Sequence, residues 1–578
     1  MNEFAANQDQ ERDRGGSPAA PAAEPSPVER SLDQQNTRAE KMASTIFFVL
    51  AVLVAFWFRF HEIGLKPFHH DEGVNWHFLH NLSQNGEYRY DPTNYHGPTL
   101  YYLTLIPLRI FGDTDLALRF WPAAFGALSV ALLWFLRRQL GRIGTPVAAF
   151  CLAASPGLVY FSRDFIHEMP FGCFSLAMVI GAWKYLDSRK FVWLFVFSLS
   201  AGLLFASKET AVINVAVLIM AVFCAAGWEF LNRPAGKGPS GFAGIRELVR
   251  DLRAQLPSLD HSLSALIIFA FIYIFFYSSL FTHWQGVIDF LRSILHWTTE
   301  RSNRDHVHSF DYYFGILFKY ELPLLIGTIL GFGLSLRRGT RFWLFMGAWA
   351  VGTTLAYSII PYKTPWLMVS FLVPMAIVTG YAAERIYRVM PPIALRLLWL
   401  AVLVMAVTAS WQLAARVNFI DYEDNNNTSG YFVELGKTLG FKPYLDGQYG
   451  YVYAQTVSDI FNLAEAVKGQ ADRLGTGART GIYIAAPSSD YWPLPWVLRN
   501  FPNTDFSGSL NVAADGTINV TQSLIIANLG QEEVLRTIPG WRPVGRPYAV
   551  RPGVELMVYV RDENARPSSP APEAPETK

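Results

Sequence analysis

Long apolar runs recur along most of the chain. A helix that crosses a bilayer needs about 20 mostly apolar residues, and about eleven stretches meet that measure. They lie near residues 43–60, 117–136, 145–162, 169–186, 191–207, 210–230, 263–282, 313–336, 342–360, 365–384 and 397–413. The run 98–111 is shorter and opens on a proline, so a re-entrant or interfacial helix is expected there. Beyond about residue 413 the pattern changes. Apolar runs shorten to strand length at 481–485, 523–527 and 554–560, with helical patterns near 457–474, 490–500 and 530–537. That alternation predicts a small α/β domain over 414–562. The expected fold class is a polytopic α-helical membrane protein, 43–413, with a small C-terminal α/β domain. Residues 1–42 and 563–578 are rich in Pro, Ala and charge, bury too little apolar surface to fold, and are expected to be disordered tails.

Charge gives the helices a direction. With the N-terminus in the cytoplasm, eleven spans put Arg137-Arg138, Arg189-Lys190, Arg233 through Arg253, Arg337-Arg338 and Arg385 through Arg396 on that same side, as the positive-inside rule asks. The opposite, extracytoplasmic face then receives the large first loop 61–116, the segment Arg163–Glu168, the turn Lys208-Glu209, the loop 283–312, the turn 361–366 and the α/β domain. Nearly all the unusual polar residues fall on that face, so a binding or catalytic surface built from several loops is expected there.

Composition narrows the class. The 578 residues are 51% hydrophobic and only 16% charged, against about 25% charged in average soluble chains. This excludes a soluble multidomain enzyme. A net charge of +1 with no basic tract or zinc-finger spacing argues against nucleic acid. Cys151, Cys173 and Cys224 all lie in apolar runs and imply no disulfide framework. No phosphate-cradling Walker loop is present, which argues against an ATP-driven pump.

Candidate chemistry starts at Asp71-Glu72, among His69, His70, His77, His80 and His96. Charge beside a bilayer is costly and so points to function. One carboxylate could serve as a general base and the other could hold a positive group. A second cluster is Arg163-Asp164 with His167-Glu168, where Glu168 also suits a helix N-terminus. A third is Lys208-Glu209, either a plain surface pair or a pair facing the cleft. The fourth is Lys363, fixed between Pro361 and Pro365; a lysine on the outer face calls for an anion, and a phosphate suits it. Acids, isolated cations and a wide apolar body together fit a lipid-phosphate sugar. A divalent metal is a candidate cofactor, with Asp71, Glu168 and His306 as candidate ligands, though no metal-binding spacing occurs. The turn Tyr491–Trp496 could pack on the membrane domain, touch an acceptor or sit at the lipid interface.

These strings resemble the GT-C superfamily of membrane glycosyltransferases, in particular its PMT/ArnT-like members. The resemblance rests on Asp71-Glu72 in the first outer loop, Glu168-Met169-Pro170 opening a helix, and Lys208 after Gly202-Leu203-Leu204. His70-Asp71-Glu72, Tyr95-His96-Gly97-Pro98, Ile360 through Trp366 and Tyr491 through Trp496 resemble a prokaryotic, flippase-associated glycosyltransferase subgroup. The outer domain does not resemble the β-trefoil of the protein mannosyltransferases. The resemblance implies inverting transfer of a sugar from a polyprenyl-phosphate donor to a hydroxyl on a lipid, glycan or protein, at the outer face of a bacterial inner membrane. It implies Asp71 as general base, with Glu72 and Glu168 positioning base or acceptor. Arg163, Lys208 and Lys363 would hold the donor phosphate, and His70, His96 and Tyr362 would line the cleft. Two rivals remain: a non-catalytic partner of a lipid-sugar flippase, and a transporter. The second is weakened because charge lies at span ends and no inverted repeat is evident.

Overall fold

The computed structural model describes residues 38–93, 96–232, 241–296, 306–431, 450–512 and 518–562. Most of the two predicted tails, together with Tyr95, Arg301, Arg304 and Asp305, lies outside the described residues. The membrane body runs α1 (Arg38–Phe60), α2 (His70–Asn85), α3 (Thr99–Phe111), α4 (Asp115–Leu132), α5 (Arg137–Ala154), α6 (Pro156–Ser162), α7 (Glu168–Ser188), α8 (Phe191–Phe205) and α9 (Ala211–Leu231). It continues with α10 (Gly241–Gln255), α11 (Leu259–Tyr277), α12 (Gln285–His296), α13 (Tyr312–Tyr320), α14 (Leu322–Arg338), α15 (Arg341–Ile359), α16 (Val369–Val389) and α17 (Ile393–Phe419).

Among the described residues, eight helical stretches are long and apolar enough to cross a membrane, or nine if the pair α13–α14, bent by 109°, counts as one span. Each of the eleven predicted runs falls on a helix. The counts differ for three reasons. Two predicted runs share the 40-residue stretch Asp115–Ala154, which breaks at Gly141 with φ 78°. The 15-residue α8 is short for a span. The run predicted at 313–336 is the bent pair. The first helix starts at Arg38 rather than 43, because its polar first turn still finds a partner: Glu40 meets Arg142 at 3.5 Å. The segment 61–116, read as the first outer loop, holds α3, where a helix over 98–111 is expected, and also α2, whose His-rich sequence carries little apolar periodicity.

The centre of the body is α16, buried over most of its length. It can lie in the middle because small residues let backbones meet. A Cβ on Gly380 would sit 2.5 Å from the carbonyl oxygen of Gly144 on α5, closer than any side chain allows. The Glu384 carboxylate accepts from the amides of Ile143 at 2.7 Å and Gly144 at 3.1 Å, tying the same two helices at one end. At that end Arg388 also pairs with Glu384, Arg341 meets Glu229 at 2.6 Å, and Arg189 donates to the carbonyls of Gln255 and Leu256. The basic turns thus gather at one end of the bundle. The segments read as outer gather at the other: residues 69–71, 96, 208–210, 306, 360, 362, 366 and 367 and parts of the C-terminal domain line one cavity.

The C-terminal domain contains α18 (Asp459–Arg473) and a five-stranded sheet of β1 (Ile482–Ala485), β2 (Thr504–Ser507), β3 (Leu524–Asn528), β4 (Trp541–Arg551) and β5 (Val554–Arg561). Strand order is β2-β1-β3-β5-β4. β1 pairs in parallel with β2 and β3, and β5 pairs antiparallel with β3 and β4. Ile482, Ile484, Leu524, Ile526, Val558 and Val560 fill the face under α18. The predicted alternation of strands and helices is therefore present, with β2 and β4 added. The domain docks through its aromatic turn, where Trp496 stacks on Phe68 at 4.5 Å and meets Trp76 edge-on at 5.7 Å.

This arrangement predicts that a single cysteine at Lys190 and one at Ala454, in a background without the three native cysteines, react with an impermeant maleimide from opposite sides of membrane vesicles. Labelling of both from one side contradicts the segregation of the two ends.

Candidate active site

The His-His-Asp-Glu string is the start of α2, and its chemistry explains the local fold. His69 is the N-cap: its Nδ1 accepts from the Asp71 amide at 3.2 Å, and its own amide donates to Glu72 Oε2 at 2.9 Å. This is a reciprocal capping box with His in the place Ser or Thr usually takes. His69 Nε2 then donates to the Tyr453 carbonyl at 3.1 Å, which links the cap to the C-terminal segment. Asp71 and Glu72 both sit in the first turn, where the helix dipole favours carboxylates. They face different ways.

Glu72 faces inward and is fully buried, as is Arg119 on α4. Arg119 Nε and Nη2 reach Glu72 Oε1 and Oε2, each at 2.8 Å. The same guanidinium donates to the carbonyls of Ile63 at 2.7 Å and Lys66 at 2.9 Å. Glu72 Oε1 also accepts from the Phe165 amide at 2.7 Å. Burial pushes the Glu72 carboxyl up, but the bidentate arginine outweighs it and holds it below the ordinary value. Beside it Lys66 pairs with Asp164. Asn75, one turn along α2, donates to the Phe165 carbonyl and accepts from the Tyr101 hydroxyl, both at 2.8 Å.

Asp71 faces a cavity of about 470 Å³. Predicted residues His70, His96, Lys208 and Tyr362 line it too. Burial would raise the Asp71 carboxyl, but His69, His70, His96 and His306 together hold it below the usual carboxylate value. Burial drives His70 the other way, down to about 4, so its imidazole is neutral at ordinary pH. His96 reaches the cavity because Gly97 lies flat on the turn after α8. The Gly97 amide donates to Ser207 O at 3.1 Å and the Thr99 amide to Ala206 O at 3.1 Å, and a Cβ on Gly97 would collide with the Ala206 carbonyl. His96 and Lys208 line the same cavity. Glu168, opening α7, pairs with Lys208. Burial lowers the Lys208 amine, but Glu168 more than restores it, so Lys208 stays charged.

The structure does not bring every predicted residue to this cavity. Glu72 is turned away from it, spent on Arg119. Arg163 donates to the carbonyls of Phe58 at 2.9 Å, His61 at 2.6 Å and Glu62 at 2.7 Å. It caps the C-terminal end of α1, whose last carbonyls lack helical partners. Lys363 Nζ donates to Ile360 O at 2.7 Å and His308 O at 3.0 Å; it pins the 306–308 strand to the Pro361–Lys363 turn, where Val307 and Tyr362 form a bridge. Glu168 acts on the cavity only through Lys208. The proposed metal set does not assemble. His306 Nδ1 lies 3.0 Å from the Tyr453 hydroxyl, Glu168 is taken by Lys208, and among the described residues no three His, Cys, Asp or Glu side chains gather into a metal-holding group.

Sequence reasoning missed Tyr453, Ser489 and Arg551 on the cavity wall; Glu209, read with Lys208 as either a surface pair or a pair facing the cleft, lines it, as does Trp366 of the Ile360–Trp366 string. Arg551 ends β4 and donates to the Trp492 carbonyl at 3.2 Å. Its place depends on sheet register and domain docking, for which the linear chain carries no signal.

Residues 95–237 match the family model described as dolichyl-phosphate-mannose-protein mannosyltransferase. The match includes Glu168 and Lys208 but not Asp71. No curated protein matches the chain significantly. Among solved structures, ArnT from Cupriavidus metallidurans bound to undecaprenyl phosphate superposes with a TM-score of 0.59 at 13% identity, over 91% of this chain and 99% of that one. The same protein in its apo state gives 0.56 at 12% identity, over 91% and 100%. The oligosaccharyltransferase AglB from Archaeoglobus fulgidus, with an inhibitory peptide and a dolichol-phosphate, gives 0.47 at 12% identity over 87% and 73%, too distant to bear on the site.

The buried pair yields a stability prediction. Glu72→Gln strands the Arg119 guanidinium and is expected to cost about 3–5 kcal/mol, read as a lowered unfolding midpoint of the purified protein. Asp71→Asn, facing open space, is expected to leave that midpoint nearly unchanged; equal losses would mean the two carboxylates share one role. In its helical body and its docked outer domain, the chain has the fold seen in the ArnT structures, and residues 95–237 match the dolichyl-phosphate-mannose-protein mannosyltransferase family model.

Proposed function

We propose that the chain is a membrane glycosyltransferase that moves a sugar from a polyprenyl-phosphate donor to an acceptor hydroxyl, with inversion, on the extracytoplasmic face of a bacterial inner membrane. The observation that carries this reading is one cavity wall shared by a carboxylate, Asp71, and a charged amine, Lys208, with Ile213, Ile294, Ile360 and Leu367 supplying apolar surface between polar groups. A displacement at an anomeric carbon needs those groups. The acceptor oxygen attacks C1 of the sugar while its proton passes to Asp71 Oδ. The bond from C1 to the phosphate oxygen breaks, and its electron pair leaves with the polyprenyl phosphate. Lys208, held and kept charged by Glu168, stabilises the charge that develops on that phosphate. Arg551 is a second cation on the same wall. The donor class is supported by the undecaprenyl phosphate in the ArnT structure of the same fold. The extracytoplasmic face is supported by the basic turns gathered at the opposite end.

Two outcomes are expected. Asp71→Asn in intact membranes should lower consumption of a radiolabelled polyprenyl-phosphate sugar by about 10²- to 10⁴-fold while donor binding persists; unchanged turnover overturns the base assignment, and binding without turnover by the wild type favours the flippase-partner reading. The pH profile follows from the site's two charges. Asp71 is held low, so its ionised form is present above that lowered value and lost only as pH falls through it, below the ordinary ~3.9. Lys208 is held high, so its charge is lost only above the ordinary ~10.4. The ratio kcat/KM should therefore be flat between about pH 5 and about pH 9. An inflection near neutrality would give the proton transfer to an imidazole instead.

A further inference from the structure

The turn between α8 and α9 lays three consecutive polar side chains, Lys208, Glu209 and Thr210, along the cavity wall. The mechanism above uses only the first. Glu209 is nine-tenths buried, with 9% of its surface exposed. Its Oε1 accepts from the Tyr90 hydroxyl, and that hydrogen bond fixes the plane of the carboxyl group. Its Oε2 is buried and has no hydrogen-bond partner among the described residues. Buried polar atoms are nearly always paired, so an unpaired oxygen on a side chain of the cavity wall calls for a partner. Tyr90 is itself held in a buried aromatic cluster, with its ring 5.1 Å from that of Tyr277.

We infer that Glu209 is a specificity-determining residue that reads a hydroxyl of the transferred sugar through its carboxyl group. The inference rests on the transferase reading, because Lys208 places the donor phosphate and the sugar joined to that phosphate must lie within reach of the next residue. A carboxyl group suits a hydroxyl in either protonation state: ionised it accepts, protonated it can also donate. Burial pushes the Glu209 carboxyl up, while Tyr90 and Lys208 pull it back. A sugar lacking the recognised hydroxyl would leave the carboxyl group without that partner, and sites built to bond a substrate hydroxyl discriminate strongly against analogues without it. A lysine and a carboxylate on neighbouring residues thereby divide the donor between them, one taking the phosphate and the other the sugar.

The test uses the full-length chain in membranes with short-chain polyprenyl phosphates carrying glucose, galactose, mannose or arabinose. The sugar turned over by the wild type is then compared with its monodeoxy analogues, for wild type, Glu209→Gln, Glu209→Ala and Tyr90→Phe. The readout is the ratio of kcat/KM for parent and deoxy donor within one preparation, so a variant that folds poorly changes both values alike and leaves the ratio intact. The wild type should prefer the parent over one particular deoxy analogue by about 10²-fold or more. That preference should fall to near unity in Glu209→Ala, and to intermediate values in Glu209→Gln and in Tyr90→Phe, which frees the carboxyl without removing it. Preservation of the wild-type ratio in Glu209→Ala against every deoxy analogue overturns the inference and leaves the transferase reading standing. Failure of the wild type to turn over any donor overturns both.

Discussion

The ion pair between Glu72 and Arg119 fixes the geometry on which the site depends. Two opposite charges fully removed from water are favourable only where every donor and acceptor is met. Here they are. The planar guanidinium meets both carboxylate oxygens and the carbonyls of the 63–66 turn. The carboxylate also takes the amides of His69 and Phe165. One side chain therefore sets the entry of α2, its cap and the segment that leads into α7. Asp71 precedes Glu72 by one residue, so the inward turn of the one directs the other into the cavity. The adjacency of two carboxylates has a physical reason: one is the anchor and the other is what the anchor holds in place.

The cavity belongs to two parts of the chain at once. The membrane body gives it Asp71, His96, Lys208, Glu209 and Tyr362, and the C-terminal domain gives it Tyr453, Ser489 and Arg551. Contacts that close it reach the residues that lead into the helix carrying Asp71. Trp496 stacks on Phe68 just before α2, and Gln455 donates to the Pro67 carbonyl at 2.9 Å. Further in, Glu321 at the α13–α14 bend accepts from the Tyr451 hydroxyl at 2.9 Å and from the Gly157 amide at 2.9 Å. The outer domain is thus seated on the elements that position Asp71, and it brings a cation of its own to the wall.

Much of this was legible in the chain. Apolar runs gave the helices, and the basic turns sorted their ends. Asp71, His70, His96, Lys208 and Tyr362 were singled out by polar chemistry at span ends and do meet around one cavity. What stayed hidden has physical causes. His69 is not a usual N-cap, so the capping box with Glu72 could not be told from a pair of catalytic acids. Arg119 lies inside an apolar run, and nothing nearby in sequence marks its partner. Arg163 and Lys363 looked like free cations because their partners are backbone carbonyls, which every residue has. β2 is polar, and β4 is interrupted by Pro543, Gly545 and Pro547, so neither shows strand periodicity. Arg551 could be placed only once that strand had its register.

The account rests on a single displacement assisted by one carboxylate base. Its most direct test is the configuration of the product. The purified chain would be given a polyprenyl-phosphate sugar of known anomeric configuration, and the new glycosidic bond read by the one-bond carbon–proton coupling at C1. The account predicts the opposite configuration from the donor. Retention would require an attacking group on the protein and two displacements, and would contradict the role assigned to Asp71.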